Sequence, residues 1–238
     1  MKKPIILITG SSSGIGFSSM KLFLERGWNI IAHYYEENKD FDNLCNEQSE
    51  RCKKIKADFG SVAELENFIY EIDKYTEITA LLNCAGCFDF SKKTENRIED
   101  AKKIFQINSI APTLIAEKVL NIMKNNKSGS IINVSSIGVK FGSNLENVFY
   151  SESKSAIEAL TRSLAREGAP CNVLVNTIRP GIVDTKFYEK IGKDITERVK
   201  LIPMKRAANA DEISELIYYL CSENSYITSQ IIPISGGE

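Results

Sequence analysis

The chain has 238 residues, of which 43% are hydrophobic, so it can bury one large core, and we expect a single domain over residues 1–238. Lys and Arg number 30 and Asp and Glu 31, which gives no excess positive charge to attract nucleic acid or an anionic membrane. The apolar run before Thr9 is too short for a secretory signal, and no stretch approaches the roughly 20 apolar residues that span a bilayer. These features predict a cytoplasmic protein that acts on a small molecule.

Short β-rich runs alternate with longer amphipathic stretches along the whole chain, a pattern typical of β-α-β units. The predicted strands are Ile5–Thr9, Asn29–Tyr34, Lys53–Ala57, Ala80–Asn83, Ser130–Ser135, Val173–Ile178 and Gln230–Ile234. The predicted helices are Ile15–Arg26, Val62–Tyr75, Arg97–Lys124, Val148–Glu167 and Asp211–Ser222. Because most strands are nearly continuous apolar runs, we expect an α/β fold of the Rossmann type, a doubly wound parallel sheet of about seven strands with helices on both faces.

The first predicted strand leads directly into a glycine-rich turn, Thr9-Gly10-Ser11-Ser12-Ser13-Gly14-Ile15-Gly16, which precedes the first helix. Glycines allow a tight turn and the close approach of a pyrophosphate, while the helix directs its unpaired N–H groups at that charge. A glycine cluster alone is weak evidence, and a merely tight connection is the alternative. Its position between a strand and a helix predicts a dinucleotide-binding site.

A tyrosine and a lysine lie four residues apart in Tyr150-Ser151-Glu152-Ser153-Lys154. On a helix both side chains share one face, and a neighbouring cation lowers the pKa of a phenol toward the working range. This spacing is also common on solvent-facing helices. However, Ser135-Ser136 and Asn83-Cys84-Ala85-Gly86 both end predicted strands, so the sheet would bring these groups to one crevice.

On these motifs the chain resembles the short-chain dehydrogenase/reductase family, whose fingerprint T-G-x-x-x-G-I-G it matches at every defined position. Within the short single-domain branch, it is similar to 3-oxoacyl-carrier-protein reductases and to sugar and polyol dehydrogenases. The resemblance spans essentially the whole chain. It implies NAD(P)-dependent hydride transfer between nicotinamide and a carbonyl or secondary alcohol, on a 3-oxoacyl thioester or a sugar or polyol. A non-catalytic dinucleotide sensor is the alternative.

The resemblance implies a catalytic set of Asn108, Ser136, Tyr150 and Lys154. Tyr150 would act as general acid in reduction and general base in oxidation, and Ser136 would bind the substrate oxygen. Lys154 would lower the pKa of the tyrosine and hold the nicotinamide ribose. Asn108 would position a water that relays protons, the alternative being a polar residue that satisfies a local helix distortion.

The resemblance also implies a set of cofactor contacts. Asp58 would cap the adenine amino group, although a turn or helix-cap role explains it equally well. Pro180 and Gly181 would meet the nicotinamide carboxamide, or simply form the turn that ends a strand. The full set is Gly10, Ser12, Ser13, Gly14, Ile15, Gly16, Tyr34, Asp58, Phe59, Asn83, Ala85, Gly86, Tyr150, Lys154, Pro180, Gly181, Val183 and Thr185.

The signals for NAD or NADP conflict. Tyr34 stands where an NAD-selecting Asp is usual, which argues against NAD. Ser13 stands where many NADP enzymes carry Arg or Lys, and Glu36 and Glu37 would repel a 2′-phosphate. The hydroxyls at residues 11 to 13 together with Lys39 could receive that phosphate, so we expect NADP(H) over NAD(H).

Five further features lead to expectations. Cys84 and Cys87 form a C-x-x-C pair, with a redox or metal role as the alternative to two small residues near a strand end; we expect no metal. His33, the only histidine, is interpreted as a strand-end residue.

Residues 186–204 are either a substrate lid or a surface helix. The helices over 97–124 and 148–168 would form the interface of a homotetramer or homodimer. Aromatic residues that could line an apolar pocket, or belong to the core, are Phe88, Phe90, Phe141, Phe149, Phe187 and Tyr188.

Overall fold

A computed structural model describes residues 3–88, 96–187 and 194–238 of the chain. Its main sheet has seven strands, all parallel, in the order β3-β2-β1-β4-β5-β6-β9. The strands in chain order are β1 Ile5–Thr9, β2 Asn29–Tyr34, β3 Cys52–Lys56, β4 Ile78–Asn83, β5 Gly129–Val134, β6 Val173–Pro180, β7 Val183–Asp184, β8 Ala208–Asn209 and β9 Ile231–Ile234. The short strands β7 and β8 pair separately. The seven predicted strands are confirmed within two residues.

Helices connect the strands and cover both faces of the sheet. They are α1 Gly14–Glu25, α2 Lys39–Glu47, α3 Val62–Ile72, α4 Arg97–Phe105, α5 Ala111–Asn126, α6 Gly138–Phe141, α7 Val148–Gly168, α8 Thr196–Leu201 and α9 Ala210–Ser222. A π-helical turn, Gln106–Ile110, joins α4 to α5, and a 3-10 turn, Ala169–Cys171, follows α7. The predicted Rossmann-type architecture is therefore confirmed.

Two hydrophobic clusters, one on each face of the sheet, form the core. Alternate residues of a strand belong to opposite clusters: Leu7 faces α3, α5 and α7, whereas Ile6 and Ile8 face α1, α2 and α9. This follows from the two-residue period of a strand. Both faces of the central strands are consequently buried, which is why those strands are apolar without alternation.

Three elements differ from the sequence prediction. The single helix predicted over Arg97–Lys124 is instead two α-helices, because a π-helical turn with wider hydrogen-bonded rings separates them at Gln106–Ile110. Helix α2 was not predicted, because only Phe41 and Cys45 of its residues are buried and its apolar content is low. β3 begins and ends one residue before the predicted strand, and it is a sheet edge whose three exposed lysines, Lys53, Lys54 and Lys56, protect its open side from pairing with another chain.

In the predicted lid, residues 194–204 contain α8, while residues 188–193 lie outside the described ranges. The aromatic residues Phe90 and Tyr188 also lie outside them. Within the described ranges, no helix combines the length and apolarity needed to cross a membrane. The same ranges contain no cluster of three or more His, Cys, Asp or Glu side chains arranged to hold a metal ion.

Candidate active site

A cavity of about 260 Å³ opens at the carboxyl edge of the sheet, where the strand order reverses between β1 and β4. Such a crevice is where open α/β folds bind ligands. Its walls come from the segments that follow β1, β4, β5 and β6 and from the first turns of α7. The lining residues are Gly10, Ser13, Gly14, Ile15, Cys84, Ala85, Gly86, Val134, Ser135, Ser136, Tyr150, Lys154, Pro180, Gly181, Val183, Thr185, Lys186 and Phe187.

The glycine-rich turn forms one wall, and its conformation requires glycine at two positions. Gly10 has φ +71°, and a Cβ there would lie 2.9 Å from the Cα of Ala85. A Cβ on Gly16 would lie 2.1 Å from the carbonyl oxygen of Gly10, so the first turn of α1 packs directly against the strand end. The backbone of the turn is therefore folded back on itself, which leaves room in the cavity for a bulky anion next to the turn.

The N-terminus of α1 is available to such an anion. Its N-cap residue, Ser13, forms no side-chain capping hydrogen bond, and no acidic residue occupies its first turn. Neither a capping side chain nor a carboxylate therefore satisfies the free N–H groups and the positive end of the helix dipole, which face the cavity. A dinucleotide pyrophosphate fits this cradle. Of the predicted turn residues, Ser12 is buried and does not line the cavity, and Gly16 lies behind it.

Ser136, Tyr150 and Lys154 line this same cavity. The Lys154 Nζ lies 5.9 Å from the centroid of the Tyr150 ring, one turn away along α7, and donates a hydrogen bond to the Val134 carbonyl at 2.9 Å. The Ser136 hydroxyl accepts a hydrogen bond from the Gly138 N–H at 3.1 Å, which orients it at the end of β5. Three of the four predicted catalytic side chains are thus brought together.

Burial governs the electrostatics of Lys154, which is only 5% exposed. Removal from water lowers the pKa of its ammonium from the usual value, because the charged form loses solvation. A cation this close to a phenol in a desolvated site interacts with it more strongly than it would in water.

Asn108 is buried in the π-helical turn behind the cavity wall. Its Oδ1 accepts from the Cys87 N–H at 2.8 Å, and its Nδ2 donates to the Cys87 carbonyl at 2.7 Å and to the Ser153 hydroxyl at 3.1 Å. A Cβ on Gly86 would come within 3.3 Å of both the Asn108 Oδ1 and the Lys154 Nζ. Asn108 therefore occupies the predicted helix distortion and also connects the loop after β4 to α7.

The segment after β6 faces the glycine turn across the cavity. The Gly181 N–H donates to the Ile234 carbonyl at 3.0 Å, and the Ile137 N–H donates to the Pro180 carbonyl at 2.9 Å. Gly14 approaches Thr185 so closely that an added Cβ would be 3.6 Å from its side chain. The predicted contact residues Pro180, Gly181, Val183 and Thr185 all line the cavity.

Besides Ser12 and Gly16, four more of the predicted cofactor residues do not line the cavity. Tyr34 lies at the end of β2 with its ring 5.1 Å from that of Phe41. The Asp58 carboxylate accepts the Gly60 N–H at 2.7 Å, which is the turn role considered for it. The ring of Phe59 is buried, and Asn83 donates to the Asn133 side chain inside the sheet at 2.9 Å.

Comparison with known proteins identifies the family. The family model described as Enoyl-(Acyl carrier protein) reductase, of the short-chain dehydrogenase/reductases, matches residues 10–238. The chain belongs to the short-chain dehydrogenase/reductase family. It is therefore an NAD(P)-dependent oxidoreductase.

Relatives of this short-chain dehydrogenase/reductase match along nearly its whole length. Protein FixR of Bradyrhizobium diazoefficiens is 32% identical, over 98% of this chain and 86% of FixR. The 3-oxoacyl-[acyl-carrier-protein] reductase FabG of Thermotoga maritima is 30% identical, over 98% of this chain and 96% of the relative. Among solved structures, a tyrosine-to-phenylalanine variant of ElxO with NADPH bound has a TM-score of 0.85 and 25% identity, over 99% and 98% of the two chains.

An ion pair beneath the site was not predicted from the sequence of this short-chain dehydrogenase/reductase. The Arg179 Nε donates to the Glu158 Oε1 at 2.6 Å, a second guanidinium nitrogen donates to the Oε2 at 2.6 Å, and the Ser135 hydroxyl donates to the Oε1 at 2.7 Å. Glu158 follows Lys154 by one turn of α7, and Arg179 directly precedes Pro180. Glu158 and Arg179 are 21 residues apart in the chain, so their spacing gives no signal for this contact.

The C-x-x-C pair has the properties of unreactive thiols. Burial raises the pKa of Cys84 to about 11 and that of Cys87 to about 12, so both are protonated at neutral pH. Both are free cysteines, and Cys84 lines the cavity. The interpretation as small residues near a strand end therefore accounts for them.

One of the predicted pocket aromatics, Phe88, lies next to Tyr150. The Phe88 ring is 4.7 Å from the Tyr150 ring and 5.9 Å from the Phe187 ring. Phe149 instead lies beside Arg97, whose guanidinium carbon is 5.0 Å from the centroid of the Phe149 ring. Phe141 is 59% exposed. Phe187 therefore contributes an apolar surface to the cavity, and Phe88 packs against the Tyr150 ring.

Proposed function

We propose that this short-chain dehydrogenase/reductase reduces a ketone, or oxidises the corresponding secondary alcohol, with Tyr150 exchanging a proton with the substrate oxygen. One observation supports this above all. The Tyr150 and Ser136 side chains and the Lys154 ammonium share one cavity with an uncapped helix N-terminus that fits a pyrophosphate. Two hydroxyl groups that line the same cavity can donate to a carbonyl oxygen on which negative charge develops.

Each proposed role follows from charge and position. NAD(P)(H), when bound, supplies or accepts the hydride. Ser136 donates a hydrogen bond to the substrate oxygen, and Tyr150 delivers the proton in reduction or removes it in oxidation. The ammonium of Lys154 favours the phenolate form of Tyr150 and is placed to hold the ribose hydroxyls.

Asn108 has a positioning role in this proposal. Both polar atoms of its side chain bind Cys87 backbone groups, and Nδ2 also reaches the Ser153 hydroxyl on α7. We infer that it holds the loop after β4 and the catalytic helix at the spacing that a water relay behind Lys154 requires.

NADP(H) is the proposed cofactor form. Lys56 on β3 forms an ion pair with Glu37 at 3.1 Å, which reduces the repulsion that this glutamate would exert on a 2′-phosphate. The ElxO variant is described with NADPH bound, which supports the same choice.

A 3-oxoacyl thioester is the proposed substrate class, with sugars and polyols as the second class to test. Phe187 lines the cavity and Phe88 packs against Tyr150, and these apolar rings suit an acyl chain better than a polyol. The name of the FabG relative, a 3-oxoacyl reductase, agrees with it.

The whole chain would act as one dinucleotide-binding domain in the cytoplasm, assembled as a homotetramer or homodimer. We further propose that residues 186–204 close over the substrate, because Lys186 and Phe187 already line the cavity at the start of this segment.

The experiment is a separate titration of NADH and NADPH, followed by a substrate screen with the form that binds more tightly. We expect tighter NADPH binding and NADPH oxidation with 3-oxoacyl thioesters. Binding without turnover across a broad panel of carbonyls and alcohols would favour the dinucleotide-sensor alternative. Tighter binding of NADH would overturn the choice of cofactor form.

A further inference from the structure

His33 is a fully enclosed histidine that makes specific hydrogen bonds with both ring nitrogens. It is 2% exposed, at the penultimate position of β2, between β1 and β3. Its Nδ1 lies 3.1 Å from the Gly10 backbone nitrogen, and its Nε2 lies 3.1 Å from the Ala57 carbonyl oxygen. Its ring stacks on Phe59 at 3.9 Å with an interplanar angle of 7°.

These two contacts determine the tautomer and the charge of the imidazole. A carbonyl oxygen can only accept, so Nε2 carries the hydrogen that binds Ala57. A backbone N–H can only donate, so Nδ1 must offer a lone pair to Gly10. Only the neutral ring with the hydrogen on Nε2 satisfies both partners. Burial also lowers the pKa of His33 to about 4, which keeps this form through the neutral range.

The backbone of His33 supports the same turn. Its carbonyl oxygen accepts from the Ser11 N–H at 2.9 Å and from the Ser11 hydroxyl at 2.7 Å. On its other side, Gly10 is in contact with the backbone of Ala85. The residue that opens the glycine turn is thus held between the loop after β4 and the His33 side chain.

We propose that His33 is a positioning residue for dinucleotide binding: its neutral imidazole accepts the Gly10 N–H and so holds the glycine turn in the shape that receives the pyrophosphate. The proposal rests on the proposed function, because it assumes that this turn binds a dinucleotide. Without the acceptor, a buried N–H would be left unpaired and the turn would relax to satisfy it. Binding would then have to restore the original shape.

Two substitutions separate this hydrogen bond from the bulk of the side chain. In His33→Asn, the amide oxygen can occupy the position of Nδ1 and still accept the Gly10 N–H, while the bond to Ala57 is lost. In His33→Gln, the longer side chain can place its amide nitrogen near Ala57, while the acceptor next to Gly10 is lost. Both variants lose the stacking on Phe59, so each is the control for the other.

The test is a titration of NADPH and NADH with the wild type and both variants, together with thermal unfolding to show that each is folded. We expect His33→Gln to bind about tenfold more weakly and His33→Asn to stay within about threefold of the wild type. In turnover, the KM for the dinucleotide should rise in His33→Gln while kcat at saturation is kept. Equal affinities of the two folded variants, whether both normal or both weakened, would overturn the inference. A wild type that binds neither dinucleotide would instead refute the proposed function.

Discussion

The phenol of Tyr150 is the side chain on which the proposed chemistry depends most directly. Replacing Tyr150 by Phe removes the proton donor and leaves the ring, which packs against Phe88 at 4.7 Å, in place. Turnover should fall by a factor of about 100 or more, as expected when a general acid–base group is removed, while the Kd of the dinucleotide stays within several-fold. Steady-state kinetics and equilibrium titration measure the two quantities.

A matched control is Tyr226→Phe, because Tyr226 is 93% exposed and does not line the cavity. It should leave turnover unchanged. Substantial residual turnover in Tyr150→Phe would mean that another group transfers the proton.

The lowered pKa of His33 also predicts how the stability of the protein depends on pH, without any ligand. Its pKa is about 4 in the folded protein and near 6.5 when unfolded, so between these values the unfolded chain binds more protons. The contribution of His33 to the free energy of unfolding is present in full above pH 6.5. It is lost as the pH falls toward 4, by about 3 kcal/mol in total.

Urea unfolding at a series of pH values tests this, with His33→Asn as the reference. Because the chain has a single histidine, the difference between the two pH profiles isolates its contribution from that of the carboxylates. Parallel profiles from pH 7 to 4.5 would show that His33 is not held neutral on folding.

Residue patterns predicted which side chains line the cavity better than they predicted the residues that support those side chains from behind. The glycine turn and the Tyr150–Lys154 pair are local, so their spacing along the chain carries the signal. The partners of His33 are Gly10, which is 23 residues earlier, and Ala57, which is 24 residues later. They meet because β2 lies between β1 and β3, and strand order cannot be obtained from residue spacing alone.

At the scale of elements, the Glu158–Arg179 pair connects α7 to the end of β6. The contact is bidentate, Glu158 is 4% exposed, and its side chain also accepts from Ser135 next to the catalytic Ser136 candidate. The ion pair raises the pKa of Arg179 above its usual value. Such paired groups couple the helix that carries Tyr150 and Lys154 to the strand that leads into Pro180 and Gly181.

Replacing Glu158 by Gln should lower the free energy of unfolding by about 2 kcal/mol, because the arginine is left partly buried without its carboxylate. The control is Glu71→Gln on α3, whose ion pair with Lys74 is exposed on both sides and should change stability by less than about 0.5 kcal/mol. Equal small changes in both variants, measured by denaturant unfolding, would mean that the buried pair contributes no more than a surface pair.

The elements that sequence patterns missed are those with little apolar content or with an irregular backbone. The strands of the main sheet are predictable because burial on both faces makes them apolar. In α2, by contrast, charged and polar residues surround the two buried positions, and the N-cap Asn38 is the clearest sign of a helix. The π-helical turn has no separate hydrophobic pattern, so α4 and α5 looked like one helix.

At the scale of the whole molecule, the outer surface of α4, the π-helical turn and α5 carries exposed apolar residues. Ile98 is 67% exposed, Ile110 46% and Leu114 40%. These helices and α7 are the predicted interface, and covering such side chains in a second copy would stabilise an assembly through the loss of apolar surface from water. We therefore expect a homotetramer of the 26.6 kDa chain.

Light scattering of the purified protein should give about four times the chain mass. Leu114→Lys should shift the protein toward smaller species, because a charge in the centre of an interface is costly to desolvate. Val62→Lys is the matched control: Val62 is a 61% exposed apolar residue on α3, away from the predicted interface, and the change should leave the mass unaltered. A wild-type protein that has the mass of one chain at micromolar concentration would contradict the assembly, and equal dissociation by both variants would place its interface elsewhere.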